Sequence, residues 1–206
     1  MKGKNFWIAT TASALVGILT IPTINNLPLP GVFVSLGTYK VAVILGAVTL
    51  LGYLVAEFLS RFIPVFRQIG RFAAIGVLNT VLDFAVLNIL INLTGYNSGI
   101  GFAVIKGLSF AVAVTNSYYW NKYWAFEFKQ KVGKEFLQFL VVSAVGLGLN
   151  IGAASLVVNV IGPLGGIDPT VWANLGALAG TFAGLAWNFL GYKFIVFKPR
   201  RSKGLT

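Results

Sequence analysis

The 206-residue chain is 57% hydrophobic and 10% charged, with mean hydropathy +0.82 and net charge +11. A globular domain carries roughly a quarter of its residues as charges, so a chain this apolar and this short excludes an ordinary soluble core and needs a bilayer to cover it. Cysteine and histidine are absent, which removes thiol chemistry, disulfides and most transition-metal sites; no cofactor and no metal is expected.

Six apolar segments follow in chain order: Phe6 to Thr23, Val41 to Ile63, Phe72 to Leu93, Ile100 to Tyr119, Phe139 to Ile161 and Val171 to Leu190. Each approaches or exceeds the ~17–25 residues of a spanning helix. The expected fold is an all-α, polytopic transmembrane helical bundle of six spans. Lys2 and Lys4 before the first segment resemble a signal peptide, but Pro22 to Pro30 lacks a small-x-small cleavage site, so a retained anchor is expected. Leu27-Pro28-Leu29-Pro30-Gly31 then breaks the helix into an outer loop. The many glycines within the segments fit closely packed membrane helices.

With six spans, 14 of the 16 basic residues fall on one side, Lys40 and Lys106 being the exceptions. The positive-inside rule places that side, and both termini, in the cytoplasm. The charge is thus a topology signal with attraction to anionic membrane lipids, and nucleic acid is not expected as a partner. Trp7, Trp120, Trp124, Trp172 and Trp187 lie near segment ends. They read as an interfacial belt, with stacking on a sugar the sharper alternative for Trp120, Trp124 and Trp172.

Two hairpins repeat one another. Phe72, Gly76, Asn79 and Asp83 correspond at constant offset to Phe139, Ser143, Gly146 and Asn150. Asn121-Lys122-Tyr123-Trp124-Ala125-Phe126 closes the first copy, and Tyr192-Lys193-Phe194-Ile195-Val196-Phe197 the second. Both copies enter and leave on the same side, so they form a parallel repeat, expected to build one polar site between them. The first two spans do not share the pattern. The chain therefore divides into an added hairpin over 1–66, a repeated four-helix part over 67–198 and a basic tail over 199–206.

Helical spacing gathers the polar residues into stripes. Gly76, Asn79 and Asp83 share a face, as do Ser143, Gly146 and Asn150; so do Lys106, Ser109, Ala113 and Asn116, and Asn174, Ala177, Thr181, Gly184 and Asn188. Such stripes face inward, because polar groups against lipid are expensive. Asp83 is twelve residues from Arg71, about 18 Å along a helix and near mid-membrane. Lys106 either pairs with it, meets a ligand or snorkels to the outer surface. Asn79, Asn116, Asn150 and Asn188 are either interhelical glue or ligand groups, Asn116 and Asn188 being the better ligand candidates because each lies about a turn from a motif lysine. Asp168-Pro169-Thr170 reads as a helix cap.

The run Arg71-Phe72-x-x-x-Gly76-x-x-Asn79-x-x-x-Asp83, with the two aromatic-lysine-aromatic endings, resembles the GtrA-like family of small polytopic membrane proteins. The family ending is close to Phe-x-x-Asn-Arg-x-Trp-x-Phe. Asn121, Lys122, Trp124 and Phe126 follow it with lysine for arginine, whereas Tyr192, Lys193 and Phe197 follow it more loosely. The resemblance covers about 60% of the chain, with the first two spans as additions. It implies residence in the cytoplasmic membrane of a prokaryote and translocation of a polyprenyl-phosphate-linked monosaccharide for cell-surface polysaccharide or teichoic acid glycosylation. The alternative it implies is a non-catalytic anchor that recruits a polyprenyl-phosphate glycosyltransferase through basic residues such as Lys129, Lys131, Lys134, Lys198, Arg200 and Arg201. An unrelated small-solute transporter is a third reading.

On the first reading the substrate-binding set is Asn79, Asp83, Lys106, Asn116, Asn121, Lys122, Asn150, Asn188 and Lys193. Lys122 and Lys193 attract the phosphate as point charges, and amides and hydroxyls replace water around the sugar. No paired carboxylates, metal ligands or nucleophile–base arrangement suggest an enzyme. A homodimer is compatible with so narrow a bundle.

Overall fold

Long apolar runs in this chain become helices because a backbone in lipid must satisfy its own hydrogen bonds. The computed structural model describes residues 3–26, 36–96, 99–129, 133–167 and 169–198. Its helices are α1 (Gly3–Asn26), α2 (Thr38–Leu59), α3 (Val65–Thr94), α4 (Gly99–Trp120), α5 (Lys134–Ser155) and α6 (Pro169–Gly191). Three π-helical turns extend them: Asn121–Ala125 after α4, Leu156–Ile161 after α5 and Tyr192–Val196 after α6. No strand occurs among the described residues. Four helices, α1, α2, α3 and most of α5, are long and apolar enough to cross a membrane; α4 and α6 have 22 and 23 residues. The protein is an all-α polytopic membrane protein.

The segments expected from sequence are recovered with shifted ends. α1 continues through Pro22 to Asn26. α2 stops at Leu59, where the Ser60 hydroxyl bonds back to the Glu57 carbonyl and a short turn runs to Pro64. α3 starts at Val65, so Arg67 and Arg71 belong to its first turns rather than to a linker. It ends at Gly95, whose left-handed backbone (φ 72°) lets its N–H bond the Ile91 carbonyl. α6 begins at Pro169, where the missing N–H costs no helical bond. The expected outer loop at 27–31, Asp168, Lys131 and the basic tail with Arg200, Arg201 and Lys203 lie outside the described residues, as do the side chains of Asn174 and Ala177.

The chain forms two compact units, Met1–Glu127 and Phe128–Thr206. In the first, α1 packs on α2 and α3, α2 on α3, and α3 on α4. The added hairpin is therefore built onto the first repeat copy. A core of Ala9, Ala12, Val16, Tyr53, Ala74, Ile75, Leu78, Trp124 and Ala125 joins these helices. In the second unit α5 and α6 lie along one another, with both π-helical turns packed at their ends. The outward faces keep large apolar residues exposed, among them Val43, Val48, Leu51 and Val55 on α2 and Phe182 and Leu190 on α6. On a membrane helix that is the face lipid covers.

Small residues set the spacing between α1 and α2. Ser13 and Gly17 on one helix face Ala42 and Gly46 on the other, each pair four residues apart. A Cβ added at Gly17 would lie 2.8 Å from the Ala42 carbonyl oxygen, and one at Gly46 2.8 Å from that of Ser13. Those neighbours are backbone and cannot turn aside. Gly52, also on α2, faces open space. Alanine gains about 0.8–1 kcal/mol over glycine in a helix, whereas overpacking costs about 1–3 kcal/mol. Gly17→Ala is therefore expected to lower the melting temperature of the detergent-solubilised protein, and Gly52→Ala to leave it level or raise it.

Candidate functional site

The polar stripes of α3 and α4 meet face to face. At the level of Asp83, the Lys106 ammonium forms an ion pair with Asp83 Oδ2, and the Ser109 hydroxyl donates to Asp83 Oδ1 at 2.6 Å. Both carboxylate oxygens are thus engaged by donors from α4. Of the readings its spacing left open, Lys106 here adopts the pairing with Asp83. Its ammonium also lies 6.0 Å from the centre of the Phe84 ring. The Asp83 side chain is 20% exposed and that of Lys106 39%, so the pair is reachable from outside the helix interface.

One turn nearer Arg71, Asn116 Nδ2 donates to Asn79 Oδ1 at 2.7 Å. Asn79 Nδ2 donates to the Ile75 carbonyl at 2.8 Å, and Trp120 Nε1 to Asn116 Oδ1 at 3.1 Å. The two amides and the indole form one directed chain. Trp120, read as part of an interfacial belt, donates its N–H to the seam.

The second unit carries a related seam between α5 and α6. Ser143 Oγ and the Tyr192 hydroxyl are 2.7 Å apart. Where the first copy has Asn79, the second has Gly146, and Asn188 of α6 fills the space: a Cβ at Gly146 would fall 2.1 Å from Asn188 Oδ1. That oxygen is buried with no hydrogen-bond partner among the described residues. Asn150, the counterpart of Asp83, lies against Gly184, where an added Cβ would be 3.1 Å from the asparagine Cβ. Asn150 is uncharged where the first copy has Asp83, so among the described residues this ion pair belongs to the first copy.

Both endings repeat in three dimensions. In each, a π-helical turn is closed by the N–H of the phenylalanine four residues past the lysine: Phe126 to the Asn121 carbonyl at 2.9 Å, and Phe197 to the Tyr192 carbonyl at 2.8 Å. Lys122 Nζ sits 5.4 and 5.7 Å from the ring centres of Tyr118 and Tyr123. Lys193 Nζ sits 5.7 and 5.4 Å from those of Phe189 and Phe194. The repeated aromatic-lysine-aromatic spacing is thus a cation–π clamp. Lys122 is wholly buried and also bonds the Tyr118 hydroxyl at 3.2 Å, while Lys193 is half-buried. Asn121 is buried too, its Nδ2 held by the Ser117 carbonyl at 2.9 Å. In this conformation Lys122 and Asn121 are enclosed, and Lys193 is the more accessible motif lysine.

Two features escaped the sequence reading. Arg71, taken as a charge marking one membrane side, is buried and donates to the Trp124 carbonyl at 2.9 Å and to Glu127 Oε1 at 2.6 Å. Trp124 is core, its ring centre 5.7 Å from that of Tyr53, and Trp172 is buried with its indole N–H on the Val157 carbonyl at 2.9 Å. Neither indole is presented for stacking on a sugar. The signal for Arg71 was its place directly before the Phe72 motif.

Apolar-faced helices joined along hydrogen-bonded polar seams define a polytopic helical membrane protein. The profile of the GtrA/DPMS transmembrane domain matches residues 71–197, and the chain belongs to that family. It is also 31% identical over 132 residues to the uncharacterized membrane protein YngA of Bacillus subtilis (strain 168), a match covering 64% of this chain and 80% of that protein. No solved structure matches it.

Proposed function

We propose that the protein carries a polyprenyl-phosphate-linked monosaccharide across the cytoplasmic membrane, with both termini in the cytoplasm, for glycosylation of a cell-surface polymer. The observation that supports this reading most is the Asp83–Lys106–Ser109 group, a cation and a hydroxyl held at mid-helix depth by a carboxylate. A charge at that depth costs about 2.5–3.5 kcal/mol on insertion scales, and helix packing alone does not need one. A lipid-linked sugar has one phosphate and several hydroxyls that must leave water, while its tail stays in hydrocarbon. Lys106 suits the phosphate. The Asn79–Asn116–Trp120 chain, satisfied within itself when empty, can exchange its bonds for sugar hydroxyls at little net cost. Asn150 and Asn188 offer the same chemistry in the second unit, and Lys193 a cation at the cytoplasmic end for the approaching phosphate.

A second reading, a recruiter of a polyprenyl-phosphate glycosyltransferase, is favoured by the exposure of Lys129, Lys134 and Lys198. One measurement separates them. Liposomes containing only this protein are expected to move a fluorescent polyprenyl-phosphate sugar between leaflets at least tenfold faster than protein-free liposomes. No acceleration, with the protein folded, would defeat the carrier reading.

A further inference from the structure

We infer that the furrow between α1 and α2 is a phospholipid site: one acyl chain lies along it, and an anionic phosphodiester head group rests on Lys40 and Tyr39 at its end. The site is independent of what the α3–α4 seam carries. The furrow follows from the small residues that set the spacing of the two helices. Ser13, Gly17, Ala42 and Gly46 bring the backbones together as a floor, and all four are buried. The larger Ile18 of α1 and Val43 of α2 stand above that floor and are exposed. The space they flank holds about 430 Å³, within the roughly 300–1,000 Å³ of small-molecule sites.

Length and lining both point to a single hydrocarbon chain. The furrow runs from Thr10 to Ile21 on α1 and from Tyr39 to Leu50 on α2. Each stretch rises about 16 Å, close to half of the ~30 Å hydrocarbon core of a bilayer. The furrow is therefore as long as one leaflet is deep. Its lining is almost wholly carbon: the Thr10 hydroxyl is spent on the Phe6 carbonyl at 2.9 Å, and the Ser13 hydroxyl is buried in the floor. A polar ligand would lose its water there for nothing, whereas an acyl chain has none to lose.

The polar groups gather at the Tyr39 end. Thr38 Oγ1 donates to Asn25 Oδ1 at 3.2 Å, and Asn26 is linked to Asn88 and Asn92. That cluster marks the level at which hydrocarbon gives way to polar surroundings. Tyr39 and Lys40 are exposed at the same end. Lys40 precedes Val43 and Ala47 by three and seven residues, which sets it at the edge of the furrow's face. The charge asymmetry that orients the chain does not account for Lys40, which lies off the basic side. Nor does a carboxylate: the ion pairs among the described residues belong to Arg67, Arg71 and Lys106. An ammonium at a membrane boundary without an acidic partner is matched by lipid phosphate, and a tyrosine beside it suits the same level. A phospholipid supplies both parts, a chain for the furrow and an anion for Lys40. A neighbouring helix would cover the furrow without supplying the anion.

The test places the full chain in phosphatidylcholine nanodiscs with a small fraction of photoreactive lipid. The lipid is phosphatidylglycerol or phosphatidylcholine, each with a diazirine in the same acyl chain, and labelled residues are mapped by mass spectrometry. Labelling of the furrow is expected to be about fivefold greater with phosphatidylglycerol, the effect of one basic residue on an anionic head group. Lys40→Gln should bring it down to the phosphatidylcholine level. Ala14→Leu with Ala47→Leu, both at exposed lining positions, should lower furrow labelling by either lipid at least tenfold. Val48→Leu, also exposed on α2 but outside the lining, should leave it unchanged. Furrow labelling no greater than that around Val48, or equal labelling by the two lipids in the wild type, overturns the inference. So does near-complete disulfide dimerisation of Ala47→Cys in this otherwise cysteine-free chain, which would show a second copy seated on the furrow. The two-lipid comparison on the wild type decides the matter even where a variant fails to fold.

Discussion

Lys106→Ala is expected to cost the protein both stability and sugar delivery, and Asp83→Ala added to it to restore the first without the second. The single change leaves a carboxylate at mid-membrane depth with only the Ser109 hydroxyl for company. Breaking a buried pair by removing one partner is destabilising by roughly 3–5 kcal/mol, but this pair is partly exposed. A loss of about 2 kcal/mol is therefore expected in a thermal or denaturant assay. The double variant has no stranded charge, so it should recover most of that loss, since replacing both members by apolar groups is often neutral. On the carrier reading transport should not recover, because the cation proposed to receive the phosphate is gone; leaflet-to-leaflet movement is then expected to fall at least tenfold in both. If the stable double variant delivers sugar normally, and only removal of Lys129, Lys134 and Lys198 abolishes delivery, the recruiter reading replaces the carrier.

The pairing of Asp83 with Lys106 was half legible in the sequence. Periodicity put Asp83 with Asn79 on one stripe and Lys106 with Ser109 and Asn116 on another, and the structure brings those stripes together. Rise along a helix gave depth but not azimuth between helices, so pairing and snorkelling stayed open. The seam of the second unit was legible as a stripe, yet its chemistry was not. That Gly146 is room for Asn188 depends on how closely α5 and α6 approach, which no single-helix pattern encodes. The endings show the opposite case. Spacing of Lys122 and Lys193 among aromatics was plain, but the burial of Lys122 was not. Tyr118 and Phe189 lie four residues before the lysines, the ordinary neighbour spacing on a helix, and Tyr123 and Phe194 directly follow them. A lysine at a helix end reads as a surface charge; only the folded turn shows Lys122 enclosed.

Arg71 carries the other large expected effect, and the structure indicates which of its bonds matters. Its side chain is 3% exposed, and one nitrogen serves both the Trp124 carbonyl and Glu127. Glu127 is 63% exposed, and exposed carboxylates contribute little through ion pairing, about 0–1 kcal/mol. The Trp124 carbonyl differs: it ends a π-helical turn, where backbone acceptors lack partners from their own helix, and Trp124 itself is core. Arg71→Met fills the space with an apolar chain but leaves that carbonyl buried without its donor. An unsatisfied buried acceptor costs about 1–3 kcal/mol, and the lost charge-assisted bond adds to the effect, so a loss of about 2–4 kcal/mol is expected. Glu127→Gln keeps an acceptor oxygen and should change stability by less than about 1 kcal/mol. Glu127→Gly should be close to neutral as well, because Glu127 holds a left-handed backbone (φ 50°), and the roughly 1–2 kcal/mol that conformation costs a side-chain residue is relieved in glycine. Melting temperatures of the three variants in one detergent order these effects. Equal losses for Arg71→Met and Glu127→Gln would show that the ion pair, and not the carbonyl at the end of the turn, is what the buried guanidinium serves.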